Sequence, residues 1–235
     1  MKKDALAQEQ KKAEADLYII VAVTAAVLII YMSFQDVLNQ FADNKSIPIL
    51  VRTFVVALQQ FGVAGLGVAI VSVFRKESFS SHGLRAKGTL LSILLCVLAF
   101  IPNIIFMFAS GRISGYMPFQ SVWVTGETLA SPFPVNVIGM MLITAAWGFF
   151  EGFNYVVISD KINKRFPGGN KWLNWGAIIS GIICLLIHGL IGITPEDIFE
   201  AVTVFAIIYG MLMVKEYTKN AWGCVFIFVF LWNAF

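Results

Sequence analysis

Charged side chains are scarce in this sequence. Of 235 residues, 17 are Lys or Arg and 14 are Asp or Glu, 13% in all, against 58% hydrophobic. Soluble domains carry roughly a quarter charged residues, so this chain could not cover a surface facing water. Histidine occurs twice, and the three cysteines, Cys96, Cys184 and Cys224, stand alone in apolar stretches with no CxxC or zinc spacing. A disulfide scaffold and a zinc module are thereby excluded. The net charge of +3 is small and no basic cluster is interleaved with aromatics, which excludes nucleic acid as the main partner. What remains is an all-α fold, a polytopic transmembrane helical bundle whose first partner is membrane lipid.

Seven apolar stretches are long enough to cross a hydrocarbon core of roughly 30 Å, which takes about 20 helical residues. They are Leu17–Ser33, Ile49–Phe74, Gly88–Ser110, Pro134–Ser159, Trp172–Ile193, Asp197–Val214 and Ala221–Phe235. Residues 1–16 read as a polar cytoplasmic tail forming a solvated surface helix, and residues 17–235 as a single transmembrane domain. The first span lacks a small-residue cleavage site and reads as a signal anchor. Residues 111–133, rich in Gly, Ser and Pro, are a loop or a partly re-entrant segment. An N-terminus placed inside puts 14 Lys and Arg residues in the cytoplasm and leaves Lys45, Arg52 and Arg112 outside. The expected location is the cell membrane, multi-pass. Thr194-Pro195-Glu196-Asp197 reads as a helix start, with a hydroxyl cap, Pro in the first turn and acids behind it.

Thirteen of the fourteen acidic residues fall in tails, loops or helix ends; Glu151 does not. An ionisable group inside a span is costly unless it faces a polar partner or water, so it marks a candidate site. Thr144, Gly148, Glu151, Gly152, Tyr155 and Ser159 share one helix face, expected to point into the bundle. His188 belongs to a four-residue progression of small side chains, Gly176, Ser180, Cys184, His188 and Gly192, which lets helices approach closely in lipid. The other histidine, His82, falls in a cytoplasmic loop. At 1.5 Å per residue, Glu151, His188, Asn233, Asn103, Gln59 and Gln60 all lie about 21–26 Å from the nearest cytoplasmic basic residue. One layer of polar groups on five spans predicts a shared cavity. The bland alternative for Gln59, Gln60 and Asn103 is interhelical hydrogen bonding, and for Gly62, Gly65 and Gly67 it is close packing rather than a nucleotide loop.

Glu151, His188 and Asn233, on the fourth, fifth and seventh expected spans, resemble the CPBP family of CAAX prenyl endopeptidases and bacteriocin-processing or self-immunity membrane proteins. The family pattern is EExxxR, FxxxH and HxxxN. The resemblance covers about residues 79–235 and begins at Ser81-His82-Gly83-Leu84-Arg85, similar to a Gly-Leu-Arg segment of that family. It implies Glu151 as general base, His188 as its partner and Asn233 as an oxyanion donor, with Asn103, Tyr155, Gln59 and Gln60 lining the cavity. No cofactor is implied, and one Glu, one His and one Asn make a poor metal site. The departures are Gly152, Val156, Cys184 and Val229, where the family has Glu, Arg, Phe and His. Loss of an oxyanion donor typically costs on the order of 10²–10³ in rate. Three readings therefore stand. One is a pseudoprotease subunit that binds a hydrophobic or prenylated peptide or a partner membrane protein. The others are a working intramembrane endopeptidase and a small transporter.

Overall fold

A computed structural model describes residues 2–168, 170, 172–189 and 192–235, with side chains from residue 6 onward. Lys171, one of the 14 basic residues expected in the cytoplasm, lies outside the described residues, as do the side chains of two others, Lys2 and Lys3. About three-quarters of the chain is helical (76%), with no strand among the described residues.

The apolar runs become helices in the expected order, with different lengths. Helix α1 spans Lys2–Asp43, with a non-helical residue at Phe34. The helix runs unbroken through residue 16, and Ala13 and Asp16 on it are buried rather than solvated. The second run is two helices, α2 (Ile49–Ala64) and α3 (Leu66–Arg75), bent by 60°. At the bend, a Cβ on Gly65 would collide with the rings of Phe61 and Phe150. On Gly67 it would stand 3.0 Å from the Ile20 Cα, so α1 and α3 are in near-backbone contact. The glycine cluster is packing, as expected.

A 3₁₀ turn, Phe79–His82, in which His82 alone is buried, leads to α4 (Thr89–Ala109). Residues 111–133 contain α5 (Thr125–Ala130), and α6 (Val135–Ile143) follows. A π-helical segment, Thr144–Phe150, then joins α6 to α7 (Glu151–Arg165). Helices α8 (Trp175–Ile187), α9 (Pro195–Thr218) and α10 (Trp222–Phe230) complete the bundle. The start of α9 carries the expected reciprocal cap: Thr194 Oγ1 accepts from the Asp197 N–H and Asp197 Oδ2 from the Thr194 N–H, both 3.1 Å.

By length and apolarity, four helices among the described residues can cross a membrane, or five if the bent α2–α3 pair is one span. They are α1, α4, the continuous Val135–Arg165 helix and α9. The fifth and seventh expected spans hold only 13 and 9 helical residues. Helix α8 stops because Gly189 turns left-handed (φ 64°) just after His188. Helix α10 stops because the chain leaves it to pair with the 111–124 loop: the Ser121 N–H donates to the Asn233 carbonyl and the Met117 N–H to the Ala234 carbonyl.

Helix α7 is the axis of the packing. Glu151 through Ser159 are all buried, including Phe153, Val156 and Val157. The expected single inward face is therefore corrected: polar and apolar faces alike are enclosed by neighbouring helices. The outside is apolar, with Ile29, Ile30, Leu94, Leu98, Ile105 and Phe108 exposed, the surface that lipid covers.

Candidate functional site

The α7 helix begins on Glu151 directly after the π-helical segment, a geometry that recurs at functional sites. Glu151 is buried, and its carboxylate has two partners. Gln60 on α2 donates through Nε2 to Oε2 at 2.8 Å. His188, capping the end of α8, places Nε2 3.5 Å from Oε1, ion-pair range but long for a hydrogen bond. Glu151 is 7% exposed and His188 is 35% exposed, so the imidazole is the open side of the pair. The His188 ring meets Trp232 edge-on at 5.6 Å, Trp232 stacks on Phe228, and Phe228 stacks on Tyr155. The result is a carboxylate held by an amide and an imidazole behind an aromatic wall. Such a pair can exchange a proton with, or hydrogen-bond, a polar group that arrives from the His188 side.

The polar layer read from sequence divides. Gln60, Glu151 and His188 meet, with Tyr155 buried one helical turn along. Asn103 donates instead to Thr203 Oγ1 at 3.0 Å, tying α4 to α9, which is the interhelical role. Gln59 is half-buried and has no hydrogen bond among the described residues. Asn233 accepts from Ser121 Oγ at 2.9 Å through Oδ1, while its buried Nδ2 has no partner among the described residues. No hydrogen bond among those residues joins Asn233 to Glu151 or His188. Val229 packs with Phe119, and a Cβ on Gly148 would meet its methyl at 2.6 Å.

Two clusters at opposite ends of the bundle were not read from the sequence. At one end, the Lys161 ammonium, fully buried, bonds Asp16 Oδ2 at 2.8 Å and Glu77 Oε2 at 2.7 Å. The Arg75 Nε takes the other Asp16 oxygen at 2.7 Å. His82, expected in a loop, is buried between Asp160 (Nδ1, 2.9 Å) and Glu77 (Nε2, 3.2 Å), and Lys215 pairs with Asp160. Burial pushes the Glu77 carboxyl up, but Lys161 and His82 outweigh it and hold it below the usual carboxylate range. The residues that flank apolar runs signalled a membrane interface; their pairing needed the fold.

At the other end, buried Arg52 caps the Ala42 carbonyl at 2.8 Å and clasps both oxygens of Glu127, which Lys45 also meets. Hydrogen bonds from Arg52, then Lys45, hold the Glu127 carboxyl at about 2, against an ordinary 4.5. A folded value below the unfolded one means that the contribution is complete above about 4.5 and lost as pH falls toward 2. Wild type and Glu127→Gln are therefore expected to differ in detergent stability by a constant amount above pH 5. The gap should close between pH 4.5 and 2; a gap that instead widens on acidification would contradict the pairing.

No protein-family model, curated protein or solved structure matches the chain.

Proposed function

We propose that the chain is a multi-pass protein of the cell membrane, with its N-terminus and the Lys161 cluster cytoplasmic, and that it belongs to the CPBP type in reduced form. Its seven crossings include two short helices, α8 and α10, that end in the membrane interior beside Glu151. Its role is that of a pseudoprotease subunit, holding a hydrophobic or prenylated peptide, or a segment of a partner membrane protein, at the Glu151–His188 pair. The observation that carries this reading is that both Glu151 oxygens already have protein partners, while Val229, where the family has His, packs against Gly148 and Phe119. A carboxylate so engaged is better suited to fixing a ligand than to activating water.

The unpartnered Nδ2 of Asn233 favours a second reading, a working endopeptidase, since a free amide can serve as an oxyanion donor. A farnesylated hydrophobic peptide added to the protein in bicelles separates the two. Binding is expected to change the fluorescence of Trp232, with no cleavage by mass spectrometry. Glu151→Ala is expected to weaken binding roughly 10–100-fold, the worth of a hydrogen bond to a charged group. Cleavage that disappears in Glu151→Ala would make the chain an enzyme and sink the accessory reading.

A further inference from the structure

Helix α1 packs against α2, α3 and α7, and so runs along the seam where Gln60 of α2 meets Glu151 of α7. Its hold there is thin. From Leu6 to Asp43 only Ala13, Asp16, Ile20 and Ala42 are buried, and Tyr18, Val21, Ile29, Ile30 and Met32 are exposed. Within lipid, an apolar side chain gains little by exchanging hydrocarbon for protein, so a peripheral helix is fixed by close packing and polar links. Along the seam these are Val27 against Gly62, Ile20 against Gly67, and Thr24 Oγ1 donating to the Val63 carbonyl at 3.0 Å.

The strong links lie at the ends. Asp16 is bonded by both Arg75 and Lys161, and Arg165 Nε bonds Glu14 at 2.8 Å. At the far end of α1, the Ala42 carbonyl is bonded by Arg52. Asp16 is 2% exposed; Lys161 joins it to α7, and through Glu77, His82, Asp160 and Lys215 it is joined to α9. A helix thin in the middle and clipped by charge at its ends is built as a cover.

We propose that α1 is a movable lateral cover over the Gln60–Glu151–His188 site, and that Asp16 is its catch. With the catch closed, Glu151 is reached only past His188. With it released, a hydrophobic ligand reaches Glu151 sideways from the bilayer between α1 and the α2–α7 seam. The proposal goes beyond the binding role above, and its test needs neither ligand binding nor catalysis.

Dicyclohexylcarbodiimide, a lipid-soluble reagent that adds to a carboxyl group, reports access to Glu151 from the membrane. At one fixed pH, Asp16→Asn is expected to raise the labelling rate of Glu151 roughly tenfold by shifting the cover toward open. Arg75→Gln, which spares the buried Lys161 link, should give a smaller rise in the same direction. Cross-linking should reverse both. A Cβ on Gly62 would stand 3.9 Å from the Val27 Cβ, close to the mean disulfide separation of about 3.8 Å. When Val27→Cys and Gly62→Cys are combined with Asp16→Asn, the oxidised protein is expected to return to wild-type labelling, and reduction to restore the fast rate. Rescue by the cross-link also separates release of α1 from misfolding, in which the disulfide would not form. Unchanged labelling in both Asp16→Asn and Arg75→Gln, or a fast rate that persists in the cross-linked protein, overturns the proposal.

Discussion

Lys161→Met is expected to destabilise the folded protein by about 3 kcal/mol, the lower end of the range for breaking a buried ion pair. The ammonium is 2% exposed in its side chain and neutralises two carboxylates on different segments, Asp16 of α1 and Glu77 before the 3₁₀ turn. Methionine fills the space but leaves those acids with less positive charge around them. Arg75 still reaches Asp16 and His82 still reaches Glu77, which is why the loss stays at the lower end. Reversible unfolding in mixed micelles of sodium dodecyl sulfate measures it. Lys45→Met, removing an ammonium that is 72% exposed, is the control and should cost under about 1 kcal/mol. Equal losses in the two variants would mean that the cluster is only a surface network.

Gly176→Ala carries the second large effect. The added methyl would overlap the Ser159 carbonyl oxygen and stand 2.8 Å from the Asn163 amide nitrogen. The Ser159 carbonyl is backbone in the enclosed stretch of α7 and cannot retreat, whereas the half-buried Asn163 amide can turn aside; α8 must move to relieve the first clash. Overpacking of this kind costs roughly 1–3 kcal/mol, and a backbone clash between two helices places it near the top of that range. Because α8 carries His188 at its C-terminal end, the shift also separates the imidazole from Glu151. Peptide binding should therefore fall in Gly176→Ala beyond what lost stability explains. Gly126→Ala, where an added Cβ meets nothing within 4 Å, should leave stability and binding intact. A fully stable Gly176→Ala with normal binding would show that the α7–α8 contact is looser than described.

Glu151 and His188 were legible because each is an exception in its surroundings. A lone acid in an apolar run, and a histidine on a stripe of small residues, stand out without any knowledge of neighbours. Their meeting was an inference from depth that the packing made concrete. Asn103 had the same depth and the same polarity, yet it faces Thr203, since depth says nothing about which neighbouring helix lies opposite. Asn233 was legible as polar, but its turn toward Ser121 follows from the backbone leaving the helix, which an unbroken apolar run cannot announce. The buried cluster around Lys161 was hidden for a related reason. Each of its charges flanks an apolar run and reads singly as an interface residue.

The sequence alone determined that this chain is helical and apolar enough for a membrane, where its charges cannot be, and which few polar groups break that rule. Those are properties of composition and periodicity, and a bilayer enforces them residue by residue. Only the tertiary structure decided which helices are full length, which polar groups share a site and which charges neutralise one another. Those outcomes depend on close approach at residues such as Gly67 and Gly176 and on pairings between distant segments, as between Asp16 and Lys161, 145 positions apart. No local pattern carries that information, because the energy of a buried polar group is set by the partner across from it.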